Sequence, residues 1–103
     1  MDLSYVTYKG EKHPLNINFY AIKHFQKTSG KPVYMMQDFT EDEEILLFHA
    51  LEAGYHEIGK EMPFKLEDME WVLNDCKKEF EKAVVEAFPP PEETKSGGDS
   101  KKK

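Results

Sequence analysis

Three side chains in the stretch "FHALEAGYH", His49, Glu52 and His56, carry the atom types that hold a metal ion, at spacings of i, i+3 and i+7. On one continuous helix that spacing would stack two imidazoles and a carboxylate along a single face. Gly54 interrupts the stretch and is expected to end the helix before His56. With no further ligand cluster nearby, the pattern predicts a polar seam on a buried helix and no metal. Cys76 is the only cysteine. It falls on the apolar stripe of a later helix and reads as a small core residue rather than a nucleophile. One cysteine makes no internal disulfide, which points to a reducing compartment. The run Glu41, Asp42, Glu43, Glu44 is explained by the start of a helix, where carboxylates meet the positive end of the helix dipole. No Gly-rich phosphate loop, serine elbow or acid pair is present. These residues predict a protein that is not an enzyme and takes no cofactor.

Composition narrows the partners. The chain of 103 residues carries a net charge of -6 and contains no arginine. Phosphate and base recognition rely on clustered Lys and Arg, so nucleic acid is not the expected partner. An acidic inhibitor that mimics DNA is a less favoured alternative, because lysines interrupt the acids throughout. No stretch approaches the ~18 apolar residues of a membrane span, and the start has no signal-peptide core. The expectation is a soluble intracellular protein with no membrane contact.

The elements that must position these groups divide the chain into a domain over 1–88 and a tail over 89–103. The tail holds three prolines, acids, glycines, serines and lysines. Such a composition cannot offset its ordering entropy, which predicts disorder. In the domain, "SYVTYKGEKHPLNI" reads as a β-hairpin turning at Gly10, with Pro14 restricting the return strand to an edge. Asn18 is placed to cap a helix that Gly30 ends, with Ile17 and Ile22 at the positions of a hydrophobic staple. "VYMMQDF" has no clean period. Thr40 and Glu43 form a capping box ahead of "EILLFHALEAG", apolar on nearly every side, which predicts a central helix over 41–53. Leu66, Met69, Leu73, Cys76, Phe80, Ala83 and Ala87 then recur at alternating spacings of three and four, the stripe of a long amphipathic helix. Asn74-Asp75 could divide it; one helix is preferred. The fold class is α+β, an N-terminal hairpin packed on three to four helices.

Several large side chains have two readings. Trp71 falls about 160° from the mean direction of the apolar stripe on a helical wheel. It either packs beneath the hairpin or the preceding loop, or belongs to a partner-binding surface, where tryptophan is enriched. Met35 and Met36 are either core fillers or part of an adaptable binding surface. Tyr20, on the lysine-bearing side of the first helix, and Tyr55 complete the set of contact candidates.

The order of hairpin, "PLNINFYAIKHFQKTSG", "EDEEILLFHALEAG" and "LEDMEWVL" resembles the tail assembly chaperones of long-tailed bacteriophages. The likeness spans roughly residues 5–75 and lies in apolar positions and glycines. Lys65 stands where relatives often carry a capping Ser or Thr. The resemblance implies a chaperone acting in the cytoplasm of the infected host and absent from the mature virion. It would bind the tape measure protein and keep it soluble until tail tube subunits polymerise around it. It also implies a longer product of programmed ribosomal frameshifting, through which the tail tube protein is recruited, and it allows self-association. The alternative from the same setting is a small structural completion or connector protein of the virion.

Lys101, Lys102 and Lys103 fit that implication, since three lysine codons make this end of the gene A-rich and adenine runs are where a ribosome slips. "PPPEETKSGGDSKKK" would also serve as a linker, extended at the prolines and loose at the glycines. A solubilising tail or an expression remnant would account for the same residues.

Overall fold

The computed structural model describes residues 3–37 and 41–88. Thr40 of the expected capping box, and the whole tail including Lys101, Lys102 and Lys103, lie outside the described residues. Strand β1 (Ser4–Tyr8) pairs antiparallel with β2 (Glu11–Leu15). Lys9 and Gly10 make the two-residue turn with φ of 51° and 79°. Two positive φ values match the right-handed strand twist, the reason such turns favour glycine. Thr7 donates its N–H to Glu79 rather than to β2. Thr7↔Lys12, and by alternation Tyr5↔Pro14, are therefore pairs that exchange no ladder hydrogen bonds. Pro14 sits where its missing N–H costs the sheet nothing.

Helix α1 (Phe19–Ser29) begins at Asn18, whose side chain accepts the Ala21 N–H at 3.0 Å, and ends at Gly30 in the left-handed conformation. A single 3₁₀ turn, Val33–Met35, fills the aperiodic stretch. Helix α2 (Glu41–Glu57) is the buried centre, in contact with α1, β2 and the last helix. A second 3₁₀ turn, Leu66–Asp68, leads into α3 (Met69–Ala87). Lysine has no acceptor and cannot complete a capping box. Asp68 nevertheless accepts the Lys65 N–H at 2.8 Å, so the entry to α3 is tied from the acidic side alone. The hairpin and three helices confirm the α+β class, and Phe25, Phe80, Leu46, Leu47 and Leu51 form the buried interior. Each such side chain contributes about 1.5–3 kcal/mol by leaving water.

Two expectations about the helices need correction. Gly54 does not end α2, which continues one turn to Glu57. A β-carbon at Gly54 would stand 2.3 Å from the Pro14 carbonyl oxygen and 2.7 Å from the Leu15 α-carbon. The glycine is there because β2 crosses the helix backbone at that point. The approach is close enough for Asn16 to donate its N–H to the carbonyl of Ala50 on α2. The last helix is continuous but not straight, since Cys76 departs from helical geometry (φ -124°, ψ 21°) and kinks it. Asn74 and Asp75 are weak helix formers just ahead of the kink. It falls between Asp75 and Glu79, whose carboxylates accept the Lys9 and Thr7 amides of the hairpin. The outward N–H of Thr7 on β1 and that of Lys9 in the turn are thereby covered, which blunts this end of the edge against strand addition.

Candidate functional site

The α1–α2 interface collects the polar groups of the sequence motif into one network. Glu52 accepts from His49 Nδ1 at 2.7 Å and from the Tyr20 hydroxyl at 3.2 Å, both on Oε1. A carboxylate only accepts, so Nδ1 carries a proton, and Nε2 bonds Thr28 Oγ1 at 2.9 Å. His24 stacks on Tyr20 with centroids 4.1 Å apart and lies 5.6 Å from the His49 ring. Because α2 runs through Gly54, His49, Glu52 and His56 do share one helix. His49 spends both ring nitrogens on Glu52 and Thr28, whereas His56 is exposed in the last turn. Among the described residues no three His, Cys, Asp or Glu side chains gather as a metal set. The seam orients Glu52 and locks α1 onto α2.

Beside this seam lies an open groove of about 490 Å³, between the start of α1, the end of α2 and the loop that follows. Tyr20, Ala53, Tyr55 and Met62 line it, with Glu52, Glu57 and Lys60 supplying charge. Tyr55 is 8% exposed, and its hydroxyl bonds His13 Nδ1 at 2.5 Å, so it forms a wall of the groove. Tyr20, 41% exposed, forms the lip. Partial burial and the adjacent Glu52 charge raise the Tyr20 hydroxyl above its usual 10.0; burial raises Tyr55, with a further push from Glu11. Thus two of the contact candidates share one concave surface.

The others do not. Trp71, 68% exposed, stands on the outer face of α3, so the reading that buries it beneath the hairpin or the preceding loop is excluded. Met35 is 56% exposed in the first 3₁₀ turn, whereas its neighbour Met36 packs against the core. The adjacent methionines therefore split between the two roles. Phe19 and Tyr34 are exposed as well, and sequence reasoning passed over both. Phe19 opens α1 about 200° around the helix from the buried Ala21, a signal the wheel carries. Tyr34 has no such signal, because a single 3₁₀ turn has too few residues for periodicity.

Cys76 is buried, and burial, aided by Glu79 and Asp75, pushes its thiol from the usual 9.0 up to about 12. A shift of that size lowers the thiolate fraction at pH 8 by about a thousandfold. Alkylation of the native protein should accordingly be slow, and denaturation should restore the rate of a free thiol. The linkage has a definite sign: a folded-state pKa above the unfolded one means the native state holds its proton longer, so stability falls as pH rises from 9.0 towards 12. Melting temperatures should hold up to about pH 9 and decline above it, less steeply in Cys76→Ala. Equal thiol reactivity in the native and denatured protein would contradict this account.

Comparison of the chain with protein-family models, curated proteins and solved structures found no match in any of the three. Among the described residues no helix is long and apolar enough to cross a membrane.

Proposed function

We propose that this chain is a non-enzymatic assembly chaperone that holds an elongated, helix-rich partner, the tape measure protein of a long-tailed phage, in the host cytoplasm. The sequence resemblance suggests the partner. The observation that carries the binding role is the outer face of α3, where Trp71 leaves 68% of its surface in water although the core beneath is filled. A tryptophan so placed contributes little to folding and is a common anchor of protein interfaces. Met35, the other contact candidate exposed by more than half, offers a polarizable thioether that adapts to varied apolar partners. Recruitment of the tail tube protein through a longer frameshift product belongs to the same reading and involves the end of the chain at Lys101, Lys102 and Lys103.

Co-expression with the neighbouring tail genes tests it. The tape measure protein should co-purify and stay soluble, the chain should be missing from purified mature particles, and the native gene should yield a minor longer product. Retention in particles would favour a structural completion or connector protein. Salt-sensitive capture of a nucleic-acid enzyme would favour the DNA mimic. Trp71→Ala should weaken partner binding roughly tenfold or more. Its stability should stay within about 0.5 kcal/mol of wild type, as for other surface substitutions. A stability loss of ~3 kcal/mol with unchanged binding would remove Trp71 from the interface.

A further inference from the structure

The geometry points to the groove between α1 and α2 as a receptor for an arginine side chain presented by an amphipathic helix of the partner. This rests on the reading of the chain as a binder of helical segments and specifies what such a segment carries. Both hydrogen bonds to Glu52 fall on Oε1, and Oε2 has no protein partner among the described residues. The carboxylate is fixed by His49 and Tyr20, so its remaining oxygen is an acceptor held in place before any ligand arrives. Preorganisation of this kind removes part of the ordering cost of binding.

Charge selects the sign of the ligand. Glu52 and Glu57 line the groove against the single cation Lys60, within a chain of net charge -6. Shape selects its form. Tyr20, Tyr55, Ala53 and Met62 add apolar and aromatic surface to the same lining, suited to an aliphatic stem and a flat guanidinium that stacks on aromatic rings. The volume, about 490 Å³, exceeds one side chain and leaves room for an apolar neighbour one helical turn away. The chain contains no arginine, so its only cationic competitors within itself are lysines.

The probe is a capped 18-residue helical peptide of alanine, leucine and glutamine with one central arginine, compared by fluorescence anisotropy with its citrulline counterpart on the full chain. Citrulline keeps the shape and removes the charge. The arginine peptide should bind about tenfold tighter, the size expected for one charge-assisted hydrogen bond. Glu52→Gln should shrink that preference to within roughly threefold, and Lys60→Glu should widen it by about threefold through added negative charge. Glu67→Gln, on the exposed turn before α3, should change neither. Equal binding of the two peptides, or an undiminished preference in Glu52→Gln, overturns the assignment. So does a preference that emerges only after residues 89–103 are removed, because the chain's own lysines would then be the occupant. Capture of the tape measure protein without arginine preference would remove the groove and leave the chaperone. Arginine preference without that capture would keep the groove and remove the named partner.

Discussion

Gly54→Ala is expected to destabilise the protein by roughly 2–3 kcal/mol, although alanine is the better helix former by about 1 kcal/mol. The sign follows from what a methyl group meets. A β-carbon there would lie 2.3 Å from the Pro14 carbonyl oxygen, 2.4 Å from its carbonyl carbon and 2.7 Å from the Leu15 α-carbon. All three are backbone atoms, so no side chain can rotate away. Either β2 must lift from α2, breaking the bond from the Asn16 amide to the Ala50 carbonyl, or α2 must bend. Both routes cost more than the propensity gain returns. For a domain of this size the melting temperature should fall by about 10 °C or more. By contrast, Gly59→Ala involves no clash, only a positive φ of 71°, and should cost about 1 kcal/mol. A Gly54→Ala protein as stable as wild type would mean that the strand does not cross the helix as described.

The same glycine marks the limit of what the sequence discloses. Hairpin, first helix and last helix were legible because their signals are local. A Lys9-Gly10 turn, an Asn18 cap with Gly30 at the far end, and a stripe at alternating spacings of three and four each report on their own segment. A glycine inside a helical pattern is ambiguous, because it serves equally as a terminator or as the point where another backbone passes. Only the position of β2 decides between them. The network around Glu52 hid for the same reason. His49 and Glu52 are neighbours in sequence, but Tyr20 and Thr28 reach them from another helix, and no spacing rule links the two segments. Trp71 was legible as an outlier from the stripe, while its exposure depended on whether the hairpin covered that face of α3. The hairpin instead meets α3 one and two turns further along, at Asp75 and Glu79, and leaves Trp71 uncovered.

Lys77→Met should weaken the α2–α3 contact by about 2–4 kcal/mol through loss of an ion pair. Glu43 is only 2% exposed, and Lys77 donates to its Oε1 at 2.6 Å while also reaching Glu81 at 3.0 Å. Methionine keeps most of the aliphatic stem, so the packing loss is small and the missing term is the cation itself. Removing one member of a buried pair leaves the other's desolvation uncompensated, which typically costs ~3–5 kcal/mol. The lower expectation reflects the Lys77 side chain, which is 26% exposed, so the pair is only partly buried. Converting Glu43 to a neutral group as well should recover part of the loss, so the double variant Glu43→Gln/Lys77→Met should be more stable than Lys77→Met alone. The pH dependence supplies a second readout. Burial lowers the Lys77 pKa, but the hydrogen bonds and charges of Glu43 and Glu81 outweigh it and leave the ammonium above its usual 10.5. A cation with a raised folded-state pKa contributes fully below 10.5 and loses that contribution as pH rises through the folded value. The stability gap between wild type and Lys77→Met should therefore stay constant from neutral pH to about 10 and close above it. A gap unchanged in strong alkali would show that the lysine acts through packing and not through its charge.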